Sequence, residues 1–276
     1  MPSNTKADNQ WIGKYFELCC VEQINHTNII PDPTKYKSTS GYNFTEKEKI
    51  ELFNQAKRIA DYLGPGHYAE WIGDSTISGK GDILLDGKYY IEIKHVAGGA
   101  STYHNTTMYY LQNFGINFDD YLNKYSFREL IQKLNPDLDV SLTNHSPIEK
   151  QIASMIHKTR PDIYKQMQTV DTKMRKEFTA DVINFFKNNP EQAKIFYTDM
   201  ASKYKVSQNI ASMADRFIVY NYELDTIQEF DLKRIQNSPT TNIKANSLGF
   251  WIGELKIQIG WQNNVGCNPS LRVFLK

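Results

Sequence analysis

The chain has 276 residues, 40% of them hydrophobic, with 32 basic against 31 acidic side chains and a formal net charge of +1. That is enough apolar material for a sizeable core, and the near-neutral balance excludes a chain-wide basic field while leaving room for a local basic groove. Cys19, Cys20 and Cys267 have no metal-ligand spacing and read as thiols of a reducing compartment. With no apolar run near the ~20 residues that cross a bilayer, the expectation is a cytoplasmic protein without a membrane partner.

In chain order, Trp11, Ile12, Tyr15, Phe16, Cys19, Cys20 and Ile24 form a helical stripe that predicts a first helix from Asp8 to Ile24. His26 to Tyr42 is rich in Pro, Thr, Ser and Asn and reads as a long loop. Thr45-Glu46-Lys47-Glu48 is a capping box, which opens a second helix ended by Gly64-Pro65-Gly66. Its expected apolar face is Ile50, Phe53, Ala56, Ile59, Ala60 and Leu63. His67 to Ile72 reads as a strand with Glu70 on one face and Ala69 and Trp71 on the other. A polar loop, Gly73 to Lys80, follows; its hydroxyls, amides and Lys80 suit phosphate contacts, and Asp74 lies within it.

The most informative stretch comes next. Ile83 to Leu85 and Lys88 to Lys94 read as the arms of a β-hairpin turning at Asp86-Gly87. Ile91 and Ile93 share one face of the second arm; Glu92 and Lys94 share the other. Asp82 stands at the start of the first arm. Carboxylates and a lysine meeting at a strand edge suit metal-assisted phosphodiester hydrolysis, because hard oxygen ligands hold Mg²⁺ and leave it several waters. Parity sharpens the expectation. A two-residue turn pairs Asp82 with Ile91, on the wrong face. A three-residue loop, Leu85-Asp86-Gly87 with Gly87 left-handed, pairs it with Tyr90, on the Glu92/Lys94 face.

Asp82 followed by Glu92-Ile93-Lys94 resembles the site of the PD-(D/E)XK nuclease superfamily, to which many type II restriction endonucleases belong. Gly81 stands where the motif has proline. Gly13-Lys14-Tyr15-Phe16-Glu17 is similar to the family's N-terminal helix, in which a glutamate after an aromatic points at the metal site. The resemblance implies Asp82, Glu92 and Lys94 as catalytic residues, with Asp82 and Glu92 on Mg²⁺ and Glu17 or Glu70 in support. A second D…ExK pattern, Asp231 with Glu254-Leu255-Lys256, lacks a close upstream carboxylate and is interrupted by Gly253.

His95 to Thr107 is dense in small, hydrogen-bonding and aromatic residues and reads as a DNA-binding loop. Ser101, Thr102, Tyr103, His104 and Asn105 are its candidate contacts, beside Lys80. Beyond it, Phe118 to Leu134 reads as one helix, and another starts at Pro147, capped by Ser146. Thr169 to Lys187 and Pro190 to Tyr204 follow as helices. Arg216 to Tyr222 reads as a buried strand partnered by Ile227 to Leu232. Phe250 to Trp261 and Leu271 to Leu275 read as a terminal antiparallel pair.

The order of elements predicts an α/β fold, a mixed central β-sheet flanked by helices; the resemblance implies a restriction-endonuclease-like core over 1–115, with a helical and β-hairpin elaboration over 116–276. The second part is expected to carry DNA recognition and dimer contacts. The resulting expectation is a Mg²⁺-dependent type II restriction endonuclease cutting double-stranded DNA as a homodimer. A repair, recombination or phage nuclease with the same site, and a non-catalytic DNA-binding protein, are the alternatives.

Overall fold

The computed structural model describes residues 6–73, 81–98, 102–134, 136, 147–203, 213–262 and 264–275. The helices are α1 (Lys6–Ile24), α2 (Glu46–Leu63), α3 (Phe118–Lys124), α4 (Phe127–Leu134), α5 (Lys150–Thr159), α6 (Pro161–Asn188), α7 (Pro190–Ala201) and α8 (Leu232–Gln236). The strands are β1 (Ala69–Trp71), β2 (Ile83–Leu85), β3 (Tyr89–Val96), β4 (Thr102–Thr107), β5 (Arg216–Asn221), β6 (Thr226–Phe230), β7 (Ile243–Asn246), β8 (Gly249–Ile252), β9 (Leu255–Trp261) and β10 (Pro269–Leu275). The fold is mixed α/β. The division falls elsewhere than at 115: one compact unit is Met1–Ser101 with Ala211–Arg234, the other Thr102–Ile210 with Ile235–Lys276. Most of the second unit is inserted in chain order between β3 and β5, so no cut at one position separates them.

The first unit carries the mixed sheet β1-β2-β3-β5-β6, in which β3 and β5 are parallel and the other neighbours antiparallel. α1 packs on α2, β1 and β3. Ile91 and Ile93 enter a core with Tyr15, Phe16, Cys19, Ala56, Ile59, Ile218 and Tyr220, so one face of β3 is apolar, as its alternation requires. The capping box of α2 forms: the Glu48 amide donates to Thr45 Oγ1 at 3.2 Å, and the Thr45 amide to Glu48 Oε2 at 2.9 Å. The buried face of α2 differs from the sequence reading at Ile50, which is 48% exposed, at Leu52, which is inside, and at Leu63, which is only partly buried.

The second unit holds an antiparallel sheet, β4-β10-β9-β8-β7, with α6 packed along β7, β8 and β9. Phe118, Phe127, Phe178 and Trp261 meet there in ring contacts between 5.1 and 5.9 Å. Asp171 and Arg175 of α6 form a largely buried bidentate pair, and Trp261 Nε1 donates to Asp171 Oδ1 at 2.7 Å. Three sequence expectations are corrected here. Phe118 to Leu134 is two helices, because Ser126 takes a left-handed φ of 47°. The helix expected from Pro147 starts at Lys150 with Glu149 at its N-cap; Ser146 lies outside the described residues. Phe250 to Trp261 is two strands, turned back at Gly253, whose φ of 54° a β-strand cannot adopt.

Candidate active site

The hairpin loop is odd in length. Leu85 pairs with Tyr89, leaving Asp86, Gly87 and Lys88 between them, with Asp86 and Gly87 at φ 54° and 64°. The loop therefore lies one residue later than the expected Leu85 to Gly87. Leu85 stays in the ladder, and the pairing of Ile83 with Ile91 continues toward Glu92 rather than Tyr90 as the residue opposite Asp82. The parity is the one the site needs. The ladder is irregular at this point: the Asp82 amide donates to Ile91 O at 2.8 Å, and Asp82 O accepts from the Ile72 amide at 3.0 Å. Position 81, before Asp82, leaves no room for a side chain. A Cβ there would sit 2.8 Å from Ile91 O, inside van der Waals contact with backbone that cannot yield.

Asp82, Glu92 and Lys94 come together. Lys94 Nζ lies 2.7 Å from Glu92 Oε1 and 3.8 Å from Asp82 Oδ2. Asp82 Oδ2 also accepts from the Ile93 amide at 3.1 Å, which fixes that oxygen to the backbone of β3. Both carboxylates are buried, 7% and 6% exposed, while the lysine remains open to solvent.

Glu17 joins them from α1, buried among the same groups. Its Oε2 accepts from Lys14 Nζ at 2.9 Å and from Trp71 Nε1 at 3.1 Å. Lys14 Nζ reaches Asp82 Oδ1 at 3.1 Å as well. Lys14 and Trp71 are the members that sequence reasoning missed. The i, i+3 spacing of Lys14 and Glu17 on one helix face was the available signal.

These contacts set the charges. Burial, and then the neighbouring Asp82 carboxylate, push the Glu17 carboxyl up to about 8 against the pull of Lys14 and Lys94. Burial opposes ionisation of Asp82 too, but Lys94, Lys14 and the Ile93 amide outweigh it and hold its carboxyl below the usual range. Burial draws the Lys14 ammonium down; Glu17 and Asp82 more than offset this and raise it. Near neutrality burial and the Asp82 charge thus favour the protonated form of Glu17.

Asp82 and Glu92 are the carboxylates that a hard divalent cation would take here. Among the described residues no three His, Cys, Asp or Glu groups already converge as a metal cage. Mg²⁺ does not need one, since it is commonly held by one or two carboxylates with water completing the shell, and Asp82 and Glu92 supply two.

The remaining candidates fall elsewhere. Glu70 is exposed on the face of β1 opposite Trp71 and is not part of the cluster. Lys80, Asp74 and Ser101 lie outside the described residues. Thr102 to Asn105 form a strand of the second unit rather than a loop, because Thr, Tyr and His favour the extended backbone and β10 pairs with them. There the Tyr103 hydroxyl donates to Ala201 O at 3.1 Å, and His104 Nε2 bonds to Met200 O at 2.7 Å, so these two side chains cap the end of α7. Thr102 and Asn105 keep partly open positions on that strand. His95, next to Lys94, is half-buried against Phe16 and Tyr222 with Nε2 on Gln55, and desolvation pushes it down to about 3, so it stays neutral.

A hollow of about 680 Å³ in the first unit is lined by α2 residues with Tyr220 and Asp225 and shares no side chain with the cluster. Its Gln55 is bonded to His95 and its Arg58 to Asp225. No helix of the described residues is long and apolar enough to cross a membrane. No protein-family model matches the chain, and no curated protein matches it.

Proposed function

We propose that this chain is a Mg²⁺-dependent endonuclease acting on double-stranded DNA, a type II restriction enzyme of the PD-(D/E)XK kind, working as a homodimer. The observation that carries the reading is the junction of Asp82, Glu92 and Lys94 at one end of a rigid hairpin, with Lys94 Nζ 2.7 Å from Glu92 Oε1. Support comes also from the mixed sheet with α1 packed on it and α2 on α1, which is compatible with the restriction-endonuclease-like core.

In this reading Asp82 and Glu92 hold the ion, which when bound polarises the scissile phosphate and acidifies a water. Lys94 keeps its ammonium at the solvent edge of the cluster, where it orients the attacking water and stabilises charge gathering on the phosphate oxygens. The Ile93 amide locks one oxygen of Asp82, so the carboxylate plane does not have to be ordered at the moment of reaction. Glu17, bonded to Lys14 and Trp71, closes the site from the helix side.

The test is incubation of the purified chain with plasmid DNA in the presence and absence of Mg²⁺, followed by sequencing of fragment ends. Fixed ends that depend on Mg²⁺ are the expected result. Lys94→Ala should abolish cleavage and leave DNA binding intact; full activity in that variant sinks the mechanism. Mg²⁺-independent binding without cleavage, unchanged by Asp82→Asn or Glu92→Gln, would assign the chain to non-catalytic DNA binding instead.

A further inference from the structure

We propose that the Lys14 ammonium occupies a cation position on Asp82 Oδ1, so that a divalent ion held by Asp82 and Glu92 must displace it to use that oxygen. The proposal rests on the nuclease reading of the same cluster and names how that site is regulated.

The geometry separates the two lysines. Lys94 lies closest to Glu92, at 2.7 Å, and stands 3.8 Å from Asp82. Lys14 spans two carboxylates almost evenly, 2.9 Å from Glu17 Oε2 and 3.1 Å from Asp82 Oδ1. The oxygens of Asp82 also differ. Oδ2 is tied to the Ile93 amide, a backbone donor that cannot leave. Oδ1 faces Lys14, a donor on a flexible stem, so Oδ1 is the oxygen that can exchange one cation for another. The Lys14 side chain is a quarter exposed, which gives the displaced ammonium a route to solvent.

An ion bound to Asp82 Oδ1 at the usual ~2.1 Å would stand within a few ångströms of an ammonium kept in this position. Two cations at that distance repel, and the surrounding groups are buried, so screening by water is weak. Lys14 therefore lowers the affinity of the empty protein for divalent ions while keeping the buried Asp82 carboxylate paired.

The experiment measures Mn²⁺ binding to the full chain without nucleic acid, by the loss of the free-ion paramagnetic resonance signal. Lys14→Met keeps the length of the stem and removes the charge; it should tighten Mn²⁺ by about tenfold or more, the scale on which close charge pairs interact. Lys14→Arg should stay near wild type. The sign is decisive, because a lysine that merely held the fold together would loosen the ion when removed. If Lys14→Met does not fold, Lys14→Gln carries the same expectation. Wild-type binding that Glu92→Gln abolishes and Lys14→Met leaves unchanged or weaker overturns the role of Lys14 and leaves the nuclease reading standing. Absence of Mn²⁺ binding in both wild type and Lys14→Met overturns both.

Discussion

Replacing Glu17 by glutamine tests the electrostatics of the cluster without any knowledge of the substrate. In the folded chain burial and Asp82 push the Glu17 carboxyl up to about 8; its ordinary value is 4.5. Between those two values the unfolded chain has released a proton that the native chain retains. The native state therefore binds more protons, and stability falls as pH rises. This contribution is complete below the unfolded value and gone once pH passes the folded one. The slope is roughly 1.4 kcal/mol per pH unit, so the change from pH 6 to pH 8 is about 2–3 kcal/mol, flattening as the native group begins to ionise.

A glutamine in this position mimics the protonated acid. It offers a carbonyl oxygen to Lys14 and Trp71 and cannot ionise. The difference between wild type and Glu17→Gln then isolates this one titration from all others in the chain. Urea unfolding at pH 6, 7, 8 and 9, followed by far-UV circular dichroism and by tryptophan fluorescence, gives the difference curve. Wild type should lose about 2–3 kcal/mol relative to the variant between pH 6 and 8 and little more above that. Parallel curves would mean that Lys14 and Lys94 keep Glu17 ionised throughout, and the assignment of a retained proton to this carboxyl would fall.

Asp82→Asn probes the opposite window: the Asp82 carboxyl is held below its ordinary 3.8, so the stability it contributes is present above that value and lost as pH falls through the folded one. Acid unfolding curves of wild type and variant should converge below that point. Thr45→Ala removes the side-chain half of the capping box of α2 and should cost about 1 kcal/mol in urea unfolding, with Thr45→Ser restoring most of it. Asp171→Ala strands the largely buried Arg175 guanidinium and the Trp261 indole N–H and should cost about 3–5 kcal/mol, seen as a large drop in Tm.

What the sequence disclosed was local. Alternation makes an odd-length hairpin loop the condition for Asp82 to share the Glu92/Lys94 face, and the loop is odd, one residue later than expected. The capping box of α2 and the strand Arg216 to Asn221 are legible for the same reason, since each is specified by neighbours in sequence. Long-range pairing is not. Nothing in Thr102 to Asn105 announces that β10 will claim it, so a polar strand reads as a loop. Nor does any local signal show that β5 returns, after the inserted second unit in chain order, to lie parallel to β3. Trp71 is legible as a strand residue, but not as a donor to Glu17 from 54 positions away.

Two buried charge clusters in this chain look alike at first and differ in one respect that matters. Asp171 and Arg175 make a one-to-one pair on a single helix, and Trp261 Nε1 and Ile259 O supply or accept further hydrogen bonds. Such a pair closes on itself. The cluster at Asp82 gathers three carboxyl groups and two ammonium groups from α1, the approach to β2, and β3. Burying that many ionisable groups at one point is a poor way to stabilise a fold, because desolvation rivals or exceeds the Coulombic gain and apolar side chains would pack as well. The excess carboxyl must keep a proton, and that proton is what leaves Glu17 far from its ordinary value. A spare acid strained in this way is relieved by one more cation, and a solvent-facing lysine stands beside it. Surplus carboxyl groups with a solvent edge are the mark of a site built to receive charge. By that physical criterion the Asp82 cluster, and not the Asp171 pair, is where we place the chemistry of this protein.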